Sequence, residues 1–106
     1  MVYYKLEDKV VKPCGLVEYA NWRSEGKIRV AGDGVDNLFV STLFLGMDLG
    51  WEEIPQVFET TVLTEDGSDL FRKRAATWEE AEANHKEALE FARNYRHRSE
   101  QSDKTD

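Results

Sequence analysis

The chain has 106 residues, an apolar content of 41% and a formal net charge of −7 at pH 7. This length suits one domain, and this composition is typical of a folded protein rather than a disordered one. No apolar run approaches the roughly 18 residues needed to span a bilayer, and the first residues lack the apolar stretch of a secretion signal. We therefore predict a cytoplasmic protein without a membrane contact, in which the single cysteine, Cys14, forms no internal disulfide.

The first third of the chain predicts a strand, a short helix and a second strand. Val2–Val11 alternates loosely between apolar and charged residues, and Pro13 is expected to end that strand because proline cannot continue a ladder. Gly15–Gly26 has apolar residues at helical spacing and closes on a glycine, which predicts a helix of about two turns. Lys27–Ala31 is then a short strand, and Gly32–Gly34 is predicted to be a turn.

The middle of the chain predicts the rest of an antiparallel meander. Leu38–Leu45 has no charge and is rich in β-branched and aromatic residues, so we expect it to be the central strand. Gly46–Gln56 is a predicted loop, and Val57–Leu63 resumes the strand pattern. Glu65–Ser68 is a hairpin-turn signal, after which Leu70–Ala76 returns as a strand.

The last element is a predicted helix that begins at Trp78. Thr77 and Glu80 have the spacing of a capping box, in which two side chains satisfy free backbone N–H groups. Apolar and small residues recur every three or four positions and predict one buried stripe: Trp78, Ala81, His85, Ala88, Leu89, Ala92 and Tyr95. The helix is expected to run to about Arg98 and to pack across the sheet.

These elements predict an α+β fold: an antiparallel β-meander of about four strands with a short N-terminal helix and a long C-terminal helix packed on the sheet. Residues 1–98 form a single domain in this prediction. Residues 99–106 contain no apolar side chain and are expected to be a disordered polar tail.

Charge is distributed unevenly, because the chain has no Lys or Arg from Val30 to Phe71. The carboxylates of this acidic segment are Asp33, Asp36, Asp48, Glu52, Glu53, Glu59, Glu65, Asp66 and Asp69. A negative surface repels phosphate and attracts cationic partners. The segment therefore argues against direct nucleic-acid binding and for a partner protein with a basic surface.

The loop at Gly46–Pro55 is the best candidate for a contact site. It places Met47, Leu49, Trp51 and Ile54 among acidic residues, and aromatic anchors ringed by charge are typical of protein interfaces. We predict that Asp48, Trp51, Glu52 and Glu53 bind the partner. The alternative is that Trp51 and Ile54 fold back and cover the core.

Titratable residues give weaker signals for chemistry. His85 is expected to be a packed residue of the helix stripe, and it could act as a base only if a carboxylate such as Asp48 or Glu59 meets it. His97 lies among arginines near the helix end, where an interaction with the helix dipole or plain solvent exposure is expected rather than catalysis. Cys14 precedes the first helix, where a thiol pKa can be lowered, but nothing places a base beside it. We predict no metal, because one cysteine and two distant histidines do not form a ligand set, and no cofactor, because the glycines do not form a phosphate loop.

Three groups of residues, in a fixed order, carry a resemblance: Ser41–Asp48, Phe58–Thr60, and Ala76–Glu82 with His85. In this order they resemble a family of small, largely uncharacterised phage and prophage proteins. The resemblance implies a setting, which is a phage accessory protein in a bacterial cytoplasm, and it implies no site residues.

Three functions follow as hypotheses. The first is an acidic accessory protein that binds a host protein, for example an anti-defence inhibitor whose charge mimics phosphate. The second is a structural or assembly accessory that forms a homo-oligomer through a sheet edge or the Trp51 loop. The third is a small enzyme or small-molecule binder with a pocket lined by His85, Glu59 and Asp48.

Overall fold

The computed structural model describes residues 2–26, 28–48 and 54–105, with side chains described for all of these except Asp48 and residues 96–105. The fold is α+β, with two antiparallel sheets and two helices. The strands are β1 (Val2–Glu7), β2 (Val10–Cys14), β3 (Arg29–Val35), β4 (Leu38–Phe44), β5 (Met47–Asp48), β6 (Phe58–Leu63) and β7 (Asp69–Ala75). The helices are α1 (Leu16–Ser24) and α2 (Trp78–Thr105).

The predicted first strand, Val2–Val11, is wrong, because this region is the hairpin β1–β2. Asp8 and Lys9 have φ values of 49° and 69°, and they form the turn between Glu7 and Val10. Two successive residues with positive φ match the twist of a two-residue hairpin turn. The sequence hides this turn because neither residue is a glycine.

Pro13 lies within β2 and does not end the strand before it. In a two-residue hairpin the closing pair, here Glu7 and Val10, is hydrogen-bonded, and bonded and non-bonded pairs then alternate. This alternation makes Tyr4 and Pro13 a non-bonded pair, so the missing N–H of Pro13 faces away from β1. Since β2 is the outer strand of the order β2-β1-β5, the proline removes no ladder bond.

Helix α1 confirms the predicted short helix, and Gly26 follows it with a φ of 78°. Of its apolar residues, Tyr19 is buried, whereas Leu16 and Val17 are 59% and 73% exposed. The Tyr19 hydroxyl donates a hydrogen bond to the Leu45 carbonyl oxygen over 2.6 Å. Tyr19 therefore anchors α1 beside the end of β4, Trp22 packs edge-on against Phe44, and Leu16 and Val17 lie open.

The predicted turn at Gly32–Gly34 is also wrong, because these residues continue β3. The turn lies at Asp36 and Asn37, where Asp36 has a φ of 56°. Asp and Asn tolerate this conformation better than most residues. Gly32 instead lets two side chains lie close to the backbone of β3. A Cβ there would lie 2.7 Å from Arg29 Nη1 and 3.0 Å from Phe39 Cζ.

The predicted meander is confirmed as a four-stranded sheet in the order β3-β4-β6-β7, with β4 inside it. The chain leaves this sheet after β4, forms β5 against β1, and returns as β6. Gly46 makes this departure possible with a φ of 74°. A Cβ at Gly46 would lie 2.5 Å from Tyr19 Cε1 and 2.8 Å from the Tyr4 carbonyl oxygen.

Helix α2 covers one face of the four-stranded sheet, as predicted. One of the two bonds of the capping box is confirmed: the backbone N–H of Glu80 donates to Thr77 Oγ1 over 3.2 Å. The helix continues to Thr105 rather than ending at about Arg98, so its backbone includes most of the expected tail. No helix in the described ranges is both long and apolar enough to cross a membrane.

Two buried clusters form the core. The cluster near the β3–β4 and β6–β7 turns is Leu38, Val40, Val62, Ala88 and Ala92. The other is Phe44, Val57, Phe58, Ala75 and Ala81, against which residues of β1, β2 and α1 pack. Most of the predicted helix stripe is confirmed, but Tyr95 is 39% exposed, and the buried Asn84, whose Nδ2 donates to the Arg74 carbonyl oxygen, was not predicted.

Candidate functional site: a polar network beneath helix α2

Four polar side chains from four elements form a hydrogen-bonded chain between the sheet and α2. Thr60 Oγ1 lies 2.7 Å from Thr42 Oγ1, and Thr42 Oγ1 lies 2.8 Å from His85 Nδ1. His85 Nε2 lies 2.8 Å from Asp33 Oδ2. We call these four residues the His85 network. It lies between the two core clusters, where the surrounding residues are apolar.

Strand register explains why these side chains meet. Thr42 and Thr60 are directly opposite each other on β4 and β6, on the face that α2 covers. Asp33 pairs with Val40, so its side chain is on the same face of β3. His85 comes from the buried stripe of α2, between Ala81 and Ala88, and reaches the network from above.

The network is closed to solvent except at one end. Thr42 is 0% exposed, Thr60 1% and His85 6%, whereas the Asp33 side chain is 53% exposed. The hydrogen bonds can all be satisfied when Asp33 accepts from His85 Nε2–H. Nδ1 then accepts from the Thr42 hydroxyl, which in turn accepts from Thr60. Each buried polar group thus has a partner, as buried groups require.

A hydroxyl, an imidazole and a carboxylate in this order are the components of a nucleophilic triad. Such a triad needs a nucleophile that a substrate can approach, and both hydroxyls here are enclosed by the sheet and α2. In this conformation the network fixes the position of α2 on the sheet. Asp33 is its one member with substantial access to water.

His85 is buried, as predicted. The carboxylate that meets it is Asp33, however, and neither Glu59 nor Asp48. Glu59 lies on the opposite face of β6, where its Oε2 is 3.0 Å from Arg74 Nη2 of the paired strand. Asp48 belongs to β5, in the other sheet, opposite Val2. The predicted pocket of His85, Glu59 and Asp48 therefore does not form. Asp33 was missed because it was assigned to a turn.

The predicted partner-binding residues fall mostly outside the described part of the chain. Trp51, Glu52 and Glu53 lie in residues 49–53, and of Asp48 only the backbone, paired in β5, is described. Their role stays a prediction. Ile54 is 64% exposed, so this side chain does not fold back onto the core as the alternative interpretation expected.

The acidic segment is spread over several surfaces. Asp33 is on the α2 face, where it contacts His85, and Glu59 is on the opposite face, where it contacts Arg74. The turns β3–β4 and β6–β7 meet at one end of the sheet, because Phe39, near the start of β4, pairs with Leu63 at the end of β6. At the other end of the sheet the chain leaves β4 after Phe44.

Cys14 is not an activated thiol. Burial raises its pKa, and the nearby Glu18 carboxylate raises it further. The start of α1 does not lower this pKa, because Cys14 lies at the end of β2 rather than in the first turn of the helix. In the described ranges no group of three or more His, Cys, Asp or Glu side chains could hold a metal ion.

Comparison with known proteins adds no relative. No family model, no curated protein and no solved structure matches the chain.

Proposed function

We propose that this chain is a small binding protein of a phage, acting in the cytoplasm of the bacterial host, which contacts a host protein with a basic surface. The observation that carries the proposal is the meeting of the two hairpin turns at one end of the sheet. Those turns hold Asp36, Glu65 and Asp66, and neither contains Lys or Arg. Grouped charge of one sign attracts a cationic surface and increases its association rate.

The closed His85 network supports a binding role over catalysis. Its hydroxyls are enclosed, so nucleophilic catalysis by this network would require α2 to move away from β4 and β6. A binding protein needs no such opening, because its contacts lie on the surface. Where the host protein binds nucleic acid, an acidic surface can occupy its groove in place of phosphate, which is the action of an anti-defence inhibitor.

The chain offers two acidic ends for this contact. One holds the hairpin turns with Glu65. At the other end of the sheet the chain leaves β4 after Phe44, and the predicted contact residues Asp48, Trp51, Glu52 and Glu53 follow in the sequence, of which only the Asp48 backbone is described. Separate charge reversals distinguish the two candidates. The changes are Glu65→Lys at the first and Glu52→Lys with Glu53→Lys at the second.

The test is affinity capture from lysate of the bacterial host, at low and at high salt, with proteins identified by mass spectrometry. The expected result is one partner that binds wild type and is released by salt, and that binds one of the two charge-reversed variants at least tenfold more weakly. Matched controls are Glu82→Lys for Glu65→Lys, and Glu82→Lys with Glu90→Lys for the double change. Both control residues are exposed carboxylates of α2 outside the acidic segment. A partner that binds all variants equally contradicts the proposal.

A further inference from the structure

Helix α2 runs along the sheet toward the end that holds the β3–β4 and β6–β7 turns. Near its start Ala81 packs in the core cluster of Phe44, and farther on Ala92 packs in the cluster of Leu38. Phe44 and Leu38 are the two ends of β4, and Leu38 directly follows the β3–β4 turn. The helix therefore leaves the sheet at the end where the acidic turns meet.

The helix does not stop where the sheet ends. Ala92 is its last residue in the buried clusters, and the helical backbone continues to Thr105. Residues 93–105, which we call the α2 extension, add about 20 Å of helix at about 1.5 Å per residue. The molecule is accordingly 55 Å long but 28 and 22 Å in its other two dimensions. The extension begins above the two turns.

The start of the α2 extension has the opposite charge from these turns. Arg93, Arg96 and Arg98 all precede its first carboxylate, Glu100. The helix dipole does not explain this placement, because it acts within the last turn and the arginines come well before Thr105. Residues 96–105 contain no apolar side chain, so apolar packing cannot hold this part of the helix either. Attraction to the acidic turns is the interaction that the fold offers it.

We propose that these arginines are an internal counter-charge to the acidic turns and slow the binding of a basic partner there. Exposed charges interact over about 8 Å at physiological salt, so the attraction requires no fixed ion pair. A cationic partner that approaches the turns is attracted by their carboxylates and repelled by the arginines. The inference rests on the proposed function, because it assigns the binding to the turns and names what regulates it.

The first test measures amide hydrogen exchange of residues 93–98 in the full chain without a partner. Asp36→Asn with Glu65→Gln removes two charges from the turns, and asparagine tolerates the positive φ of residue 36. The extension should then open more often at its start. Its amides should exchange about two- to fivefold faster than in wild type at low salt, and the difference should vanish at high salt.

The matched control for this change is Asp8→Asn with Glu82→Gln, which alters the net charge equally. Asp8 also has a positive φ, and its turn lies at the other end of α2, where the adjacent Lys9 lies over the Trp78 ring. Exchange of residues 93–98 should stay close to wild type in this control. Circular dichroism checks the fold of every variant.

The second test measures the association rate with a fluorescently labelled polylysine peptide, which replaces the host protein. Arg96→Gln with Arg98→Gln should associate about two- to fivefold faster than Lys12→Gln with Lys86→Gln at low salt. Both pairs change the net charge equally, and the two lysines are exposed and lie outside the extension. The difference between the pairs should disappear at high salt.

Exchange that responds no more to the turn variant than to its control overturns the proposal, and so does equal association of the two cation pairs at low salt. These results are distinguishable from failure of the proposed function. If no host protein binds the chain, the exchange of residues 93–98 still depends on the turn carboxylates. If the counter-charge is wrong, that exchange is unchanged even where a host protein has been captured.

Discussion

His85 on α2 and Asp33 on β3 are joined by a hydrogen bond of 2.8 Å between Nε2 and Oδ2. This bond connects the buried end of the His85 network to solvent, because the Asp33 side chain is half exposed while Thr42 and Thr60 are enclosed. The two ends of the network should therefore respond differently to mutation. Loss of a buried partner leaves a polar group unsatisfied, whereas a group at the exposed end can bind water.

The buried end is tested by Thr42→Val, which keeps the shape of the side chain and removes its hydroxyl. We expect a loss of about 1–3 kcal/mol in the free energy of unfolding, because His85 Nδ1 and the Thr60 hydroxyl lose their partner. Urea denaturation gives the value. Thr42→Ser is the control and should retain most of the stability, so equal losses in both variants would show that packing, not the hydroxyl, matters.

The exposed end is tested by Asp33→Ala. The loss here should be about 1 kcal/mol or less, since water can replace the carboxylate as acceptor from His85 Nε2–H. His85→Ala should cost more, about 2–4 kcal/mol, because it leaves a cavity and an unpaired Thr42 hydroxyl. A larger loss for Asp33→Ala than for His85→Ala would contradict the closed network.

Gly46 is predicted to be the least replaceable glycine of the described ranges. Gly46→Ala should destabilise the fold by about 2–4 kcal/mol, because φ is positive and the new Cβ would overlap Tyr19 and the Tyr4 carbonyl. Gly67→Ala is the matched control, with a φ of 87° and open space around the Cβ, and should cost about 1 kcal/mol. Thermal unfolding of both variants provides the comparison. Similar losses of stability in the two would show that the close contacts around Gly46 are not the cause.

The β6–β7 turn gives a pH-dependent prediction through Asp66. Hydrogen bonds from the Thr64 hydroxyl and the Ser68 N–H lower the pKa of Asp66 from its usual 3.8. A lowered folded-state pKa gives stability that is present above 3.8 and is lost as the pH falls through the folded value. The difference in unfolding free energy between wild type and Asp66→Asn should therefore shrink in acid.

The control for this prediction is Glu65→Gln, which removes a charge from the same turn without removing the bonds to Thr64 and Ser68. If the difference between wild type and Asp66→Asn were constant from neutral pH to below 3.8, the turn bonds would not stabilise the carboxylate.

Elements with strong local signals were predictable, and contacts distant in sequence were not. The uncharged run of β4, the alternation of β6 and the Thr77 cap of α2 each express a local preference, and the structure confirms them. The pairing of Met47 with Tyr3 brings together segments far apart in sequence, which no local pattern records.

The His85 network shows how one local error propagates. Two glycines around Asp33 indicated a turn, yet the turn is formed three residues later by Asp36 and Asn37, which have a weaker signal. With Asp33 outside the predicted strand, its face and its partner could not be inferred. The burial of His85 was predictable from the period of α2, but its hydrogen bonds depend on the register of three strands.

The measurement that tests the central claim most directly is the association rate of the purified chain with its captured host partner, over a range of ionic strength. A contact made through the acidic residues predicts a rate that falls steeply as salt increases, and a variant at the contacting end that is slow at every salt concentration. A rate independent of salt, and unchanged by reversal at both acidic ends, would contradict binding through the acidic segment.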